Sequence, residues 1–296
     1  MVYTLTFNPA VDYYITVDNL KNGEVNRAKD EKITFGGKGI NVSFVLNEFG
    51  VKSICLGFVG GFTGEALEKH LTQKGINCDF VKVIGNTRIN VKLNDTDINA
   101  AGPEISLQEL EELLHKFDQL QDGDILVLSG SVPKCLSQDG YATVIEQLAN
   151  KNVKVVVDAE KDLLLNTLKY KPFFIKPNHH ELGAIFNVKI NTFDDAVYYA
   201  QKLQQLGAQN VMVSMGEKGA VLVDQNGNAH TQLAHSGRVI SAVGAGDSAV
   251  AAFISRYLNG DRFADCLKWA VAAGSATAFC NGLANQKDIE DVFKGA

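Results

Sequence analysis

The chain has 296 residues and a formal net charge of −6, with 46% hydrophobic and 21% charged residues. These proportions are close to those of globular proteins and exclude wholesale disorder. A mildly acidic chain without a run of basic residues is not expected to have nucleic acid or an anionic membrane as its main partner. Phosphate ligands stay compatible with this charge, since a few local cations and a helix N-terminus can bind one.

The five cysteines are scattered, odd in number and without a C-x-x-C pair. This usage favours reduced thiols over a disulfide framework or a zinc site. The first residues show no signal-peptide pattern, and no apolar stretch reaches the ~18 residues that a membrane span needs. We therefore expect a cytoplasmic protein with no membrane partner.

Short apolar runs rich in Val, Ile and Leu alternate with amphipathic stretches along the chain. The runs predict strands buried on both faces, at 2–7, 53–59, 124–128, 153–158, 173–175 and 211–214. Two of the amphipathic stretches begin with Ser106-x-x-Glu109 and Thr192-x-x-Asp195, the capping pattern of a helix N-terminus. Strand and helix in alternation predict an α/β fold with a mainly parallel sheet. No repeat or linker divides the chain, so a single domain over residues 1–296 is expected.

Two further predicted strands, 11–17 and 87–93, differ because apolar and polar residues alternate in them. In the second, Ile89 and Val91 share one face, while Arg88 and Asn90 share the other. Such alternation predicts a sheet with one wet face. Together with a strand at 97–101, these strands are expected to form a small lid, built from about residues 10–17 and 87–101, beside the main sheet.

The apolar face of this lid needs a partner surface. Ile89, Val91 and Leu93 would otherwise be exposed to water, and each would forgo roughly 1.5–3 kcal/mol of burial energy. A second lid related by a two-fold axis would cover them and still let the lid open. The sequence therefore predicts a homodimer joined through the lids.

The first of three glycine-rich segments is Gly36-Gly37-Lys38-Gly39-Ile40-Asn41. Glycine lets the backbone approach a ligand closely, and the lysine adds a cation. Apolar periodicity from Ile40 onward places the segment before a helix, whose N-terminus favours anions. It is not a Walker A loop, because glycine follows the lysine. From spacing alone, an ordinary glycine-rich turn is an equally good interpretation.

The second segment, 243–249, contains the G-x-G-x-x-A pattern of dinucleotide sites. We exclude a nicotinamide site, because two helices rather than a strand follow, and because Asp247 would repel a pyrophosphate. Instead, the amides of residues 245–247 open a predicted helix through Tyr257 and could form an anion hole for a transferring phosphoryl group. Asp247 could then accept a proton from an attacking hydroxyl. The alternative is an acid that only stabilises the helix N-terminus.

The third segment, 214–219, and the sequence KPNHHE at 176–181 are weaker signals. The third segment is also compatible with a plain hairpin turn. Asn178 and Glu181 would share one face of a first helical turn, and their oxygens suit Mg²⁺ held through water. The adjacent His179 and His180 point to different faces, so we interpret them as surface or packing residues.

Five segments together resemble the ribokinase-like sugar kinases of the phosphofructokinase B group, in the order found there and over nearly the whole chain. They are NPAVD at 8–12, GGKGIN at 36–41, KPNHHE at 176–181, VSMGEKG at 213–219 and VGAGDS at 243–248. The resemblance implies a ribokinase-like three-layer α/β sandwich with a mainly parallel central sheet and a small β-sheet lid. It also implies ATP-dependent phosphorylation of a sugar hydroxyl, with Mg²⁺ as cofactor.

Within that family, the chain is most similar to the group that phosphorylates D-fructose 1-phosphate at the C6 hydroxyl, giving D-fructose 1,6-bisphosphate. The similar segments are 87–93, 130–133, 275–279 and Asn99 with Gly102-Pro103. Two alternatives stay open: a tagatose-6-phosphate kinase, which shares the GGKG segment, and a non-catalytic sugar-phosphate sensor. Asp247 disfavours the sensor, because a sensor does not need a base beside an anion hole.

The resemblance also implies a role for each matched position. Asp247 is the expected catalytic base, and Gly244, Ala245 and Gly246 form the expected anion hole. The residues expected to bind the sugar phosphate are Asp12, Gly37, Lys38, Asn41, Arg88 and Arg27. The residues expected on the ATP side are Lys176, Asn178, Ser214, Gly216, Gly219 and Asn281, with Glu181 and Asn178 holding Mg²⁺ through water. The chain departs from the family after strand 153–158, where Ala159-Glu160-Lys161 replaces a Ser-Gly turn.

Overall fold

Strands and helices alternate through a computed structural model that describes residues 1–133, 135–137 and 139–295. The strands are β1 (Val2–Thr6), β2 (Ala10–Thr16), β3 (Asp30–Gly36), β4 (Ser53–Val59), β5 (Asn77–Cys78), β6 (Val81–Lys82), β7 (Arg88–Leu93), β8 (Thr96–Ile98), β9 (Ile125–Ser129), β10 (Lys154–Asp158), β11 (Phe174–Ile175), β12 (Asn210–Ser214), β13 (Gly219–Val223) and β14 (Ala229–Leu233). The α-helices are α1 (Lys38–Glu48), α2 (Gly61–Gln73), α3 (Leu107–Lys116), α4 (Gly140–Gln147), α5 (Lys161–Leu165), α6 (His179–Phe186), α7 (Phe193–Gln205), α8 (Ala245–Leu258), α9 (Phe263–Phe279) and α10 (Gln286–Lys294).

The main sheet has the strand order β14-β13-β12-β11-β10-β9-β1-β4-β5, and β6 also pairs with β4. Pairing is parallel from β12 through to β5. It is antiparallel between β12 and β13 and between β13 and β14. The central strands β1 and β9 are buried at every position, as their continuous apolar runs predicted.

Helices cover both faces of the main sheet and complete the three-layer sandwich. On one face, Leu113 of α3, Tyr141 of α4 and Leu203 of α7 pack against the sheet in one hydrophobic core. On the other face, Val45 of α1 and Val250 of α8 belong to a second core. The expected fold class is confirmed. Over the described residues, the structure has no helix that is both long and apolar enough to cross a membrane.

A separate small sheet has the strand order β3-β2-β7-β8. The predicted strands 11–17 and 87–93 are confirmed as β2 and β7, which pair in parallel. The prediction at 97–101 was too long, because β8 ends at Ile98. Strand β3 was not predicted, because it begins with the charged residues Asp30-Glu31-Lys32 and is exposed over its first four positions.

The two faces of the small sheet differ in polarity, as the alternation predicted. On one face, Tyr13 lies in register with Ile33 and Val91, and Ile33 is 57% exposed. On the other face, Asp12 lies in register with Asn90, which is buried. The polar face therefore meets the rest of the molecule, and the apolar face is left open to solvent.

Candidate active site

A cavity of about 490 Å³ lies between the small sheet and the carboxyl end of the main sheet. Its walls include Arg88 and Asn90 of β7 and the segments that follow β9 and β10. Parallel α/β sheets bind ligands at this edge. A larger hollow of about 610 Å³ lies around residues 204–209 and 225–227, but the side chains that line it are uncharged. The smaller cavity is therefore the candidate for chemistry.

Asp247 lies in the first turn of α8, which begins directly after Gly244. Gly244 has a φ of +82°, which favours glycine, and a Cβ there would lie 2.6 Å from the Leu283 side chain, so a substitution would be strained. The Asp247 carboxyl is 5% exposed and accepts a hydrogen bond of 2.8 Å from Nδ2 of Asn41. Burial, helped by the charge of Asp158, raises the pKa of Asp247 to about 7. This carboxyl can therefore exchange a proton near neutral pH.

The start of α8 presents an anion-binding arrangement beside this carboxyl. The amide of Ala245 already donates to the Ala242 carbonyl at 3.3 Å, whereas the next two amides have no backbone acceptor in the described residues. A Cβ on Gly246 would lie 3.0 Å from Nζ of Lys176, so the lysine ammonium stands directly against this glycine. Two amides and one buried ammonium therefore converge where negative charge would be stabilised.

Asp158, at the end of β10, is a site residue that the sequence analysis missed. Its carboxylate is 3% exposed and lies 3.3 Å from Nζ of Lys176 and 3.9 Å from Nζ of Lys38. The charge of Asp158 is the main reason that the pKa of Lys38 is raised. Asp158 thus joins two lysines that the sequence had assigned to different substrates. Its one sequence signal was its position at the carboxyl end of a predicted parallel strand.

Asp12 and Asn41 converge over Gly36, at the junction of β3 and α1. A Cβ on Gly36 would lie 3.3 Å from Oδ1 of Asn41 and 3.9 Å from Oδ2 of Asp12. The other oxygen of Asp12 accepts a hydrogen bond of 2.8 Å from Nδ2 of Asn90, a polar residue not selected from the sequence. Gly37, with a φ of +139°, leads from β3 into α1. One carboxylate and one amide are thus positioned to bind hydroxyl groups.

Two of the three predicted phosphate-binding cations line the cavity. Lys38 and Arg88 belong to its walls. The Nε atom of Arg88 is buried without a hydrogen-bond partner, and burial lowers the pKa of this guanidinium while the charge of Asp12 opposes that shift. Arg27 lies in the exposed connection between β2 and β3, outside the residues that line the cavity. Its role in phosphate binding stays a prediction.

Asn178 and Glu181 form a capping box at the start of α6. Oδ1 of Asn178 accepts from the amides of His180 and Glu181 at 2.9 Å, and Glu181 accepts from the amide of Asn178 at 2.8 Å. Burial raises the pKa of Glu181. In the described residues, no group of three or more His, Cys, Asp or Glu side chains could hold a metal. Proteins usually bind Mg²⁺ with one or two carboxylates together with phosphate oxygens of the substrate. The residues present therefore fit Mg²⁺ only when phosphate oxygens supply further ligands.

Of the remaining positions expected on the ATP side, Ser214, Gly216 and Gly219 lie at the turn between β12 and β13. Ser214 ends β12 and makes a single parallel bridge to Asn178. Gly216 and Gly219 have φ of +59° and +116°, and a Cβ on Gly219 would lie 2.0 Å from a carbonyl oxygen of β14. Residues 214–219 therefore form the plain hairpin turn with which the sequence was also compatible. Asn281, exposed after α9, accepts a hydrogen bond of 3.4 Å from Lys32 of the small sheet.

Residues 5–290 match the family described as pfkB family carbohydrate kinase. The chain belongs to this family. A 1-phosphofructokinase of Bacillus subtilis is 41% identical over 99% of this chain and 97% of its own length. A D-tagatose-1-phosphate kinase of Bacillus licheniformis is 37% identical over 98% of this chain and 96% of its own length. The crystal structure of phosphofructokinase-2 from Escherichia coli in complex with fructose-6-phosphate superposes with a TM-score of 0.90, at 26% identity, over 99% of this chain and 98% of that one.

Proposed function

We propose that this chain transfers the γ-phosphoryl group of ATP to the C6 hydroxyl of D-fructose 1-phosphate, giving ADP and D-fructose 1,6-bisphosphate. The observation that carries this proposal is the buried Asp247 carboxyl next to the amides of α8 and the Lys176 ammonium. A base beside an anion site is what phosphoryl transfer to a hydroxyl requires. The name of the Bacillus subtilis relative supports the choice of acceptor.

In the proposed reaction, the C6 oxygen attacks the γ-phosphorus in line. The bond between that phosphorus and the bridging oxygen of ADP breaks, and the hydroxyl proton passes to Asp247. A pKa of about 7 suits a general base at neutral pH, because the carboxyl is partly ionised and still basic. The amides of Gly246 and Asp247 and the ammonium of Lys176 stabilise the charge on the group in transfer.

The acceptor is bound by the opposite wall of the site. Asp12 and Asn41 hold sugar hydroxyls, and Gly37 lets the backbone come close to the ring. Lys38 and Arg88 bind the phosphate already present at C1, because charge-assisted hydrogen bonds to phosphate are among the strongest that side chains make. The Nε proton of Arg88 has no acceptor in the described chain, which supports this assignment.

ATP is proposed as the phosphoryl donor, since the family comprises carbohydrate kinases. The nucleotide side comprises Lys176, Asn178, Ser214, Gly216, Gly219 and Asn281. Mg²⁺, when bound with ATP, neutralises charge on the phosphate oxygens. Asp158 and Glu181 are the carboxylates proposed to hold it through water. Glu181 uses one oxygen to accept from the Asn178 amide and keeps the other, whereas the only side-chain oxygen of Asn178 already accepts from two backbone amides.

A second acceptor, D-tagatose 1-phosphate, is favoured by the Bacillus licheniformis relative. It is the C4 epimer of fructose 1-phosphate and carries the same C1 phosphate. We propose to measure ADP release with fructose 1-phosphate, tagatose 1-phosphate, tagatose 6-phosphate, fructose 6-phosphate and free fructose. The highest kcat/KM is expected with fructose 1-phosphate. A preference for tagatose 6-phosphate would support the alternative kinase, and binding without any ADP release would support a sensor.

We further propose that two copies associate through the apolar faces of their small sheets, which are exposed at Ile33, Ile89 and Ile98. A two-fold contact would bury this face on both copies.

Residues 1–296 are proposed to act as one domain with the small sheet inserted in it. A cytoplasmic location is proposed as well, because scattered cysteines in odd number favour a reducing compartment.

A further inference from the structure

Lys161 lies in the wall of the cavity, within the segment Ala159-Glu160-Lys161 that follows β10. The residue is exposed. Of the other lysines at this end of the sheet, Lys38 and Lys176 both pair with Asp158, whereas Lys161 forms no salt bridge within the described residues. Its ammonium group is therefore free to meet a ligand that enters the cavity.

The backbone at Lys161 runs against two local preferences. Its φ is +51°, a left-handed conformation in which the Cβ of an L-residue approaches a carbonyl oxygen. Lys161 is also the first residue of α5, where the positive end of the helix dipole disfavours a cation. Glycine would avoid the first penalty, and an acidic residue would avoid the second. Departures from local preference concentrate at functional positions.

The charge of the cavity wall depends on this residue. Three cations line the cavity (Lys38, Arg88 and Lys161), and its wall also contains the two carboxylates of Glu160 and Asp162. Glu160 already acts on Lys38 and contributes to its raised pKa. Without Lys161 the wall would carry no net charge. With it, the wall attracts an anion.

We propose that Lys161 binds the phosphate group that the sugar substrate already carries. With Lys38 of α1 and Arg88 of β7, it surrounds that phosphate with cations from three separate elements. The inference rests on the proposed function, because it needs a sugar monophosphate in the cavity. It adds a residue that selects phosphorylated sugars over free sugars.

The test compares Lys161→Gly with the wild-type chain. Removing the ammonium should raise both KM and Kd for the sugar phosphate about tenfold, the effect of roughly 1.4 kcal/mol, and leave KM for ATP unchanged. The same substitution relieves the left-handed strain, so the midpoint of thermal unfolding should stay level or rise. Sugar-phosphate binding should therefore weaken without any loss of thermal stability, a combination that a purely structural role of Lys161 would not produce.

Two controls sharpen the comparison. Lys171 is a second exposed lysine with a left-handed backbone, φ +54°, and it lies outside the cavity wall, so Lys171→Gly should leave KM unchanged. Lys161→Arg keeps the charge and should keep KM within about twofold. An unchanged KM and Kd in Lys161→Gly, or an equal rise in KM for ATP, would overturn the proposal. If the wild type prefers another sugar phosphate, the proposed function fails. KM and Kd of Lys161→Gly are then measured with that preferred sugar phosphate, and the same criteria apply.

Discussion

Nδ2 of Asn41 donates a hydrogen bond of 2.8 Å to Oδ2 of Asp247 and so ties helix α1 to helix α8. The same Asn41 side chain directs its oxygen towards Gly36, next to the carboxylate of Asp12. The hydrogen bond stabilises the ionised carboxylate and opposes the effect of burial on the pKa of Asp247. One amide thus connects the wall proposed to bind the sugar to the expected base.

Replacing Asp247 with asparagine keeps the size of the side chain and removes the base. We expect kcat to fall by a factor of ~10² or more, within the range that general-base catalysis contributes. Steady-state kinetics with the accepted sugar phosphate would measure this. Asp265→Asn, at an exposed surface pair, is the control and should keep wild-type turnover. A variant at position 247 that retains a third of wild-type turnover, with chemistry limiting the rate, would contradict the assignment.

The pH dependence of activity should show the titration of Asp247. Because its pKa lies at about 7, kcat/KM should decrease as the pH falls below 7 and the carboxylate becomes protonated. Asn41→Ala removes a hydrogen bond that lowers this pKa, so the acidic limb should move to higher pH. A limb that stays in place in Asn41→Ala would show that another group titrates there.

Folding stability should depend on the same carboxyl, with a definite sign. The folded-state pKa of Asp247 lies above its ordinary value of 3.8, so the folded chain binds this proton more tightly than the unfolded chain. The resulting stabilisation is complete below about pH 4 and is lost as the pH rises to about 7. As the pH rises from 4 to 8, the midpoint of thermal unfolding should therefore decrease less in Asp247→Asn than in the wild type.

Arg88→Ala should weaken binding of the sugar phosphate far more than binding of ATP. Charge-assisted bonds contribute about 1.5–3 kcal/mol each, so KM for the acceptor should rise roughly 10- to 150-fold. Arg262→Ala, which removes an exposed arginine that pairs with Asp265, is the matched control and should change neither KM. Equal losses for both substrates of Arg88→Ala would indicate a folding defect or a role on the ATP side.

The proposed association of two copies depends on the apolar face of the small sheet. Sedimentation at micromolar concentration should give about twice the chain mass of 32.1 kDa. Val91→Asp places a charge on that face and should shift the mass towards one chain, because a buried charge without a partner is costly. Lys92→Ala, on the opposite face beside Asp97, should stay dimeric. A fully active wild type that sediments as a single chain would refute this contact.

Features that depend on neighbouring residues were predicted well from the sequence. Ser106 and Thr192 both form capping boxes, with Glu109 and Asp195, because all the partners lie within three residues. The helix expected to run through Tyr257 is α8, which ends one residue later. The starts of α1 and α8 follow glycines in the segments singled out for anion binding, because close approach there excludes a side chain.

Features that depend on distant residues could not be read from spacing. The role of Asp158 depends on its distances to Lys38 and Lys176, which come from separate elements. The role of the pair Asn178 and Glu181 could not be predicted from the sequence for a different reason. Their i, i+3 spacing is the same for a water-mediated metal site and for a capping box, and the structure shows the capping box. Strand β3 lacked a signal because its first residues are charged and exposed.

The topology of the small sheet has a consequence for the order of folding. Strands β2 and β3 are joined by residues 17–29, whereas Asp12 and Asn90, which bond across β2 and β7, lie 78 residues apart. Closing so long a segment costs entropy before its contacts form, so strand pairs of this kind are slow to assemble. We expect β7 to join only after β4 and α2, which lie between, have packed on the main sheet. The proposed acceptor wall of the cavity and the face proposed to meet a second copy would then be completed in one late event, so that refolding chains would gain activity and association together.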